Sequence, residues 1–229
     1  MQLALFDLDH TLIPADSDHA WGQFLVHRGE VDAKDFAAAN DRFYEQYCDG
    51  TLDIDAYLRF ALAPLASIEP QQLMVLQQAF MQEVIEPLIS RQALDLVMRH
   101  QARGDLCLLI TATNEFVTAP IAQRFGITEL IACGVERVDG RYTGAPCGIA
   151  SFREGKVTRL MQWIKEQACD AAPVLRAATF YSDSFNDIPL LELVGFPVAT
   201  NPDARLRAHA LAKAWPCLAL FGEHQPGAQ

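Results

Sequence analysis

Short unbroken apolar runs alternate with stretches of helical period along this chain. The first run, Leu3-Ala4-Leu5-Phe6, is apolar on successive residues, the pattern of a strand buried on both faces under helices. Similar runs recur at 106–110, 130–135 and 177–181, with a weaker one at 196–199. Helical patterns lie between them, including 92–101 and a helix opening at Gly155 with Val157, Leu160, Met161 and Ile164 on its apolar face. Strands alternating with helices predict an α/β fold around a parallel sheet. One gap breaks the rhythm. Between about Ala15 and Ile89 no strand is predicted. Apolar positions three and four apart give helices around Trp21, Phe24 and Leu25, around Phe36, Phe43 and Tyr47, and over 52–65 and 73–85. Pro64, Pro70 and Pro87 punctuate them. The expected organisation is a discontinuous core, 1–13 and 90–229, with a helical cap inserted at 14–89. Alternation around Asp139-Gly140 predicts a small antiparallel hairpin beside the main sheet. The polar tail, 222–229, is expected to fray.

Composition narrows the class. A chain of 229 residues, 51% apolar and 21% charged, is globular and long enough to bury a core without staples. The formal net charge of −11 argues against a general binder of nucleic acid or of anionic membrane, because the field repels a polyanion. A small anionic substrate stays compatible with it, since a metal ion and a few donors make a positive spot inside a negative protein. No apolar stretch approaches the ~18 to 20 residues of a membrane span. Asp7 and Asp9 interrupt an N-terminus with no basic lead, so a signal peptide is not expected. Six cysteines, at 48, 107, 133, 147, 169 and 217, form no Cys-x-x-Cys pair. A reducing, cytoplasmic setting without structural disulfides is expected.

Chemistry concentrates at strand ends. Asp7 and Asp9 follow the first strand two residues apart, a spacing that points both carboxylates one way if the strand continues. Carboxylates are costly as core filler, and the crevice at strand C-termini is where open α/β sheets bind ligands. A second pair, Asp183 and Asp187, follows the strand near 177–181. Four such acids repel one another unless a cation sits among them, and an oxygen-only ligand set favours Mg²⁺. Thr111 closes its strand, either as a plain helix N-cap or as a hydroxyl that cups a phosphate with the N–H groups that follow. Lys156 sits in a first helical turn, where a cation opposes the helix dipole. It is either surface filler or an ammonium that meets the phosphate and balances the acids.

In this order, Asp7-Leu8-Asp9-His10-Thr11, Thr111, Lys156 and Asp183-Ser184-Phe185-Asn186-Asp187 resemble the four motifs of the haloacid dehalogenase-like hydrolase superfamily, in its phosphoserine-phosphatase-like branch. The resemblance spans Leu3 to about Pro202. It implies a Rossmann-like core and a Mg²⁺-dependent phosphatase of small metabolites that works through an aspartyl-phosphate. Under it, Asp7 is the nucleophile and Asp9 the acid and base. Mg²⁺ lies on Asp7, Asp183 and the carbonyl of Asp9, with Asp187 supporting. Thr111, Ala112 and Lys156 hold the phosphoryl oxygens. Asp9 also favours phosphoryl chemistry over dehalogenation, because dehalogenases lack a second acid there.

Three details depart from the phosphoserine phosphatases: His10, where they usually have Ser; Thr111-Ala112, for Ser-Gly; and Ser182-Asp183-Ser184, for Gly-Asp-Gly. Asp16 aligns with a cap acid that meets the substrate amino group. Arg42 and Arg59 are the candidates for the arginine that would bind a serine carboxylate. The run 11–21 looks more like a bacterial sister group assigned as phosphoserine phosphatase-like or as histidinol-phosphate phosphatase. Asp16 and Asp18, with His19 as lining, would suit a cationic substrate that carries no carboxylate; the alternative for both acids is a solvated helix start. Trp21 and Phe24 read as cap core. The expectation leans to histidinol phosphate, with phosphoserine next. Rivals are a phosphotransferase and a non-catalytic protein that binds a phosphorylated ligand. A nucleic-acid end phosphatase is disfavoured by the charge. The oligomeric state stays open.

Overall fold

The computed structural model describes residues 2–221, so the tail at 222–229 lies outside it. Seven strands form one sheet: β1 (Leu3–Phe6), β2 (Leu106–Asn114), β3 (Glu129–Val138), β4 (Arg141–Cys147), β5 (Thr179–Ser182), β6 (Phe196–Thr200) and β7 (Cys217–Leu218). Their order is β4-β3-β2-β1-β5-β6-β7. Every pairing is parallel except β3 with β4. In β1, Ala4 and Phe6 enter the apolar cluster on one face, while Leu3 and Leu5 enter the cluster on the other. That two-sided burial is why the run reads as continuously apolar. The chain crosses from β1 to β2 on one side and leaves β5 on the other, so the sheet reverses order at β1. The crevice at the C-terminal ends of β2, β1 and β5 lies at this reversal, where ligands bind in open α/β sheets.

Among the described residues, ten α-helices cover the sheet and one edge of the crevice. Four precede the return to the sheet: α1 (Ser17–Arg28), α2 (Ala33–Asp49), α3 (Ile54–Ser67) and α4 (Pro70–Phe80). Asp16, Asp32 and Asp53 accept N–H groups at the starts of the first three, so these acids serve helix initiation. The remaining helices are α5 (Arg91–Ala102), α6 (Glu115–Arg124), α7 (Glu154–Glu166), α8 (Ala171–Ala177), α9 (Ile188–Leu191) and α10 (Ala204–Lys213). Trp21 and Phe24 of α1 pack with Phe80 of α4, and Trp21 meets Phe116 of α6. One apolar cluster therefore runs from the sheet face through α5 and α6 into α1, α3 and α4.

Several local expectations change. Strand β2 continues past Ile110 to Asn114, so Thr111 lies inside a strand, and Asn114 caps α6 by accepting Val117 N–H. Pro64 does not break α3; its missing N–H falls within a helix that runs on to Ser67. After Phe80, α4 widens into a π turn (Met81–Ile85) and a 3₁₀ turn (Glu86–Leu88). Met161 is exposed, which leaves Leu160 and Ile164 as the buried face of α7. Ala177 ends α8 and does not start β5. The hairpin turns at Asp139-Gly140, both with positive φ, but it lengthens the sheet: β3 is a core strand and β4 its antiparallel edge. Strand β7 was not anticipated. Gly144 of β4 packs so closely on α3 that a Cβ would lie 3.1 Å from Ala66 Cβ. No helix among the described residues is long and apolar enough to cross a membrane. All six cysteines are unpaired.

Candidate active site

Asp7 leaves β1 with its N–H still donating to Tyr181 O, 2.9 Å away, so the sheet fixes its backbone. The chain then turns sharply. Leu8 O accepts the N–H groups of Thr11, Leu12 and Ile13, and His10 takes a φ of 54°. The strand ends at Phe6, so alternation is not what aims the two acids. The turn sends them to different partners.

Asp7 faces Lys156. The Lys156 ammonium donates to Asp7 Oδ1 and to Asp187 Oδ2, both at 2.7 Å, and Ser182 Oγ donates to the same Asp187 oxygen at 2.7 Å. Lys156 is 3% exposed, which removes the surface-filler reading. Burial works against its charge, but the Asp187 and Asp7 carboxylates outweigh it and raise its pKa. Burial also pushes Asp7 up, Lys156 pulls it back, and the carboxyl settles at about 6. Thr11 joins Asp7 to the second strand end. Its hydroxyl donates to Asp183 Oδ1 at 3.0 Å, has Asp7 Oδ2 at 3.3 Å, and accepts Asp183 N–H at 3.0 Å. Burial, then the charges of Asp7 and Asp187, hold Asp183 well above the usual carboxylate range.

Asp9 is turned away from this group. Its Oδ1 accepts Ser17 N–H at 2.7 Å and its Oδ2 accepts the Thr113 hydroxyl at 2.8 Å. Burial, with Asp16 and Asp7 nearby, raises its pKa well above the ordinary value. Burial that raises a carboxyl's pKa favours its protonated form, which suits it to proton donation.

Among the described residues no three His, Cys, Asp or Glu side chains converge as a ready-made metal cluster. Only two carboxylates, Asp7 and Asp183, meet across Thr11, and the side chain of Asp9 is committed elsewhere. Two carboxylates completed by main chain, water and substrate oxygens suit Mg²⁺, which seldom takes an all-side-chain cage.

One cavity joins these groups to α1, α2 and α3. Asp7, Asp9 and Thr111-Ala112-Thr113 line its floor; Asp16, His19, Asn40, Phe43, Tyr44, Tyr47, Leu52, Ile54 and Tyr57 line the rest. No arginine or lysine lines it among the described residues. His19 stacks on Tyr44 at 4.7 Å and meets Asp41 Oδ1 at 2.8 Å through Nε2. Asp16 lines the cavity and also caps α1, accepting His19 N–H at 2.7 Å. The other specificity candidates are not brought there. Asp18 is buried against Asn114, whose Nδ2 donates to it at 2.8 Å, so it is neither solvated nor a lining residue. Arg42 and Arg59 are exposed on α2 and α3, and Arg42 leans on the Phe43 ring.

Sequence reasoning missed several members. Thr113 follows Thr111 by two residues on one strand, a period that could have shown it. Asn40, Phe43, Tyr44 and Tyr47 fall at helical spacing on α2, where Phe43 and Tyr47 read as an apolar face. Thr11 carried no signal of its own.

A model of the haloacid dehalogenase-like hydrolase family matches residues 4–192. A protein named histidinol-phosphatase from Neisseria meningitidis serogroup C (strain 8013) is 50% identical over 217 residues, covering 94% of this chain and 97% of that one. A phosphoserine phosphatase of Mycobacterium tuberculosis (strain ATCC 25618 / H37Rv) is 34% identical, over 93% of this chain and 68% of that one. Among solved structures, a Bordetella pertussis Tohama I protein of unknown function superposes with a TM-score of 0.89 at 47% identity, covering 96% of this chain and 98% of the other. A phospho-aspartyl intermediate analogue of phosphoserine phosphatase shares the fold, with a TM-score of 0.68 at 18% identity over 95% and 92% of the two chains.

Proposed function

The chain belongs to the haloacid dehalogenase-like hydrolase family, and from that premise we propose that it hydrolyses a small phosphomonoester whose alcohol is cationic and lacks a carboxylate, with histidinol phosphate as the favoured substrate. The phosphatase class and the aspartyl-phosphate route follow from the family. The substrate is carried by one observation: the cavity wall above Asp7 and Asp9 offers Asp16, stacked aromatic rings and no arginine or lysine. A carboxylate buried there would go unpaired, at a cost of several kcal/mol. An ammonium or an imidazolium would meet Asp16 beside the aromatic residues that line the cavity. The histidinol-phosphatase relative, similar across nearly its whole length, supports the same choice. Phosphoserine is the second reading; it draws on the phosphoserine phosphatase relative and needs a cation that the cavity wall lacks.

In this reading, Asp7 attacks phosphorus and the ester P–O bond breaks. Asp9 gives its proton to the departing alkoxide, held for that purpose by Ser17 N–H and the Thr113 hydroxyl. Asp9, now ionised, takes a proton from water as the water attacks the aspartyl-phosphate. Inorganic phosphate leaves, and both acids return to their starting states. Lys156 neutralises charge on the phosphoryl oxygens, while Thr111 and the N–H groups after it orient them. Asp187 and Ser182 hold the ammonium in place. Asp7, Asp183 and the carbonyl of Asp9 would hold Mg²⁺, which supplies counter-charge to the phosphoryl group. The buried position of Asp7 and Asp9 suits a small metabolite as substrate.

The test is phosphate release from a panel containing histidinol phosphate and L-phosphoserine, with and without Mg²⁺. A kcat/KM for histidinol phosphate at least a hundredfold above phosphoserine is expected. Preference for phosphoserine would overturn the substrate assignment.

A further inference from the structure

Asp7 and Asp9 are 4% and 9% exposed at the floor of the cavity, so its walls control how a substrate reaches them. Helix α2 supplies Asn40, Phe43, Tyr44 and Tyr47 to the cavity wall, which makes it the natural moving part. Its last turn carries no basic residue, and the chain leaves it at Gly50 with a φ of 76°. The unpaired carbonyls of a helix end attract cations. Here the cations come from the far side of the crevice.

Arg153, just before α7, donates from Nη2 to Gly50 O at 2.7 Å and from Nε to Asn186 Oδ1 at 3.0 Å. Arg205 of α10 lies 3.5 Å from the centre of the Phe185 ring, with Nη1 at 3.5 Å from Asp49 O. Phe185 fills the gap so closely that a Cβ on Gly50 would sit 2.5 Å from its ring. Phe185 and Asn186 belong to the loop that carries Asp183 and Asp187. Arg153 also adopts a φ of 49°, a conformation disfavoured for a residue with a side chain, and its carbonyl accepts Lys156 N–H at 3.0 Å. Strain at this residue is balanced by two bonds that join the end of α2 to the acid loop.

We propose that Arg153 is a positioning residue that latches the C-terminal end of α2 onto the acid loop when the cavity is closed, with Arg205 and Phe185 completing the socket. The latch holds the end of α2 closed over the cavity through Gly50 O and Asn186 Oδ1. The kinetic part rests on the phosphatase reading; the latch itself does not. Two measurements on the full chain separate them. Hydrogen exchange of the amides at 44–51 is expected to quicken at least tenfold in Arg153→Ala, with β1 and β2 unchanged, and Arg153→Lys should restore part of the protection. With histidinol phosphate as probe, KM is expected to rise at least fivefold in Arg153→Ala while kcat stays level or rises, because a loosened latch weakens the closed complex and eases release. If Arg153→Ala does not fold, Arg205→Gln takes its place, with the same direction expected in both readouts. Unchanged exchange at 44–51 would overturn the latch. Faster exchange with a fallen kcat and an unchanged KM would also overturn it, assigning Arg153 to local support of Lys156. No turnover of histidinol phosphate by the unaltered protein would overturn the substrate reading, and p-nitrophenyl phosphate would then carry the kinetic comparison, while the exchange result would still decide whether the latch exists.

Discussion

Asp18 gives the fold a pH dependence that one substitution removes. The residue lies on α1 and is 4% exposed. Asn114 Nδ2 donates to its Oδ1 at 2.8 Å, while its Oδ2 has no hydrogen-bond partner among the described residues. Burial, reinforced by the nearby Asp16 carboxylate, lifts its pKa from 3.8 to about 7. Between those values the folded protein keeps a proton that the unfolded chain has released. Stability contributed by this group is complete below pH ~4, declines as pH rises toward 7, and levels off above it. At 1.36 kcal/mol per unit, the decline has a ceiling of about 4 kcal/mol. Asp18→Asn keeps an acceptor for Asn114 but cannot ionise. Its amide NH₂ takes the place of the unpartnered oxygen, at a cost of about 1 to 3 kcal/mol. The variant should therefore be less stable than the unaltered protein near pH 4.5 and equal or more stable at pH 8. The difference between them should move by at least about 2 kcal/mol across that range. Urea unfolding at four pH values, with slopes compared, measures this. Parallel stability curves would refute the reasoning. Because Asp18 does not line the cavity, kcat should stay within about threefold.

The other consequences are more local. Lys156→Met leaves Asp7 and Asp187 buried without their counter-charge; stability should fall by about 3 to 5 kcal/mol and kcat by at least about a hundredfold, seen by urea unfolding and by phosphate release. Asp16→Asn keeps the cap on α1 but removes the negative charge from the cavity wall. KM for histidinol phosphate should rise at least about tenfold, with little change for p-nitrophenyl phosphate, and equal effects on both would remove Asp16 from recognition. Trp21→Ala empties the contact among Phe24, Phe80 and Phe116; a loss of about 3 to 5 kcal/mol by urea unfolding is expected.

What the sequence disclosed and what it hid follow from how far each signal reaches. Strands β1, β2 and β5 were legible because burial on both faces makes them apolar without interruption. Asp7, Asp183 and Lys156 were legible because a charge at the end of such a strand, or in the first turn of an apolar helix, contradicts its surroundings. The pairing of Asp9 with Ser17 N–H and Thr113 was not, since it depends on a turn in which Leu8 O collects three N–H groups and His10 takes a positive φ. Asp18 and Asp16 look alike in sequence. Only the packing of α1 against Asn114 turns one into the core and leaves the other at the cavity. Arg42 and Arg59 attracted attention as cations on the right helices, but helical phase points them outward. Arg153 gave no hint at all, because its partners are main-chain oxygen and amide groups far along the chain.

The central claim is that Asp7 carries the phosphoryl group between the two halves of the reaction. Rapid acid quenching of the protein with Mg²⁺ and radiolabelled histidinol phosphate, followed by peptide mapping, tests it directly. The account predicts label on the peptide containing Asp7, released by hydroxylamine as an acyl phosphate is, and absent in Asp7→Asn together with turnover. Turnover that persists in Asp7→Asn, or label that maps to another residue, would contradict it.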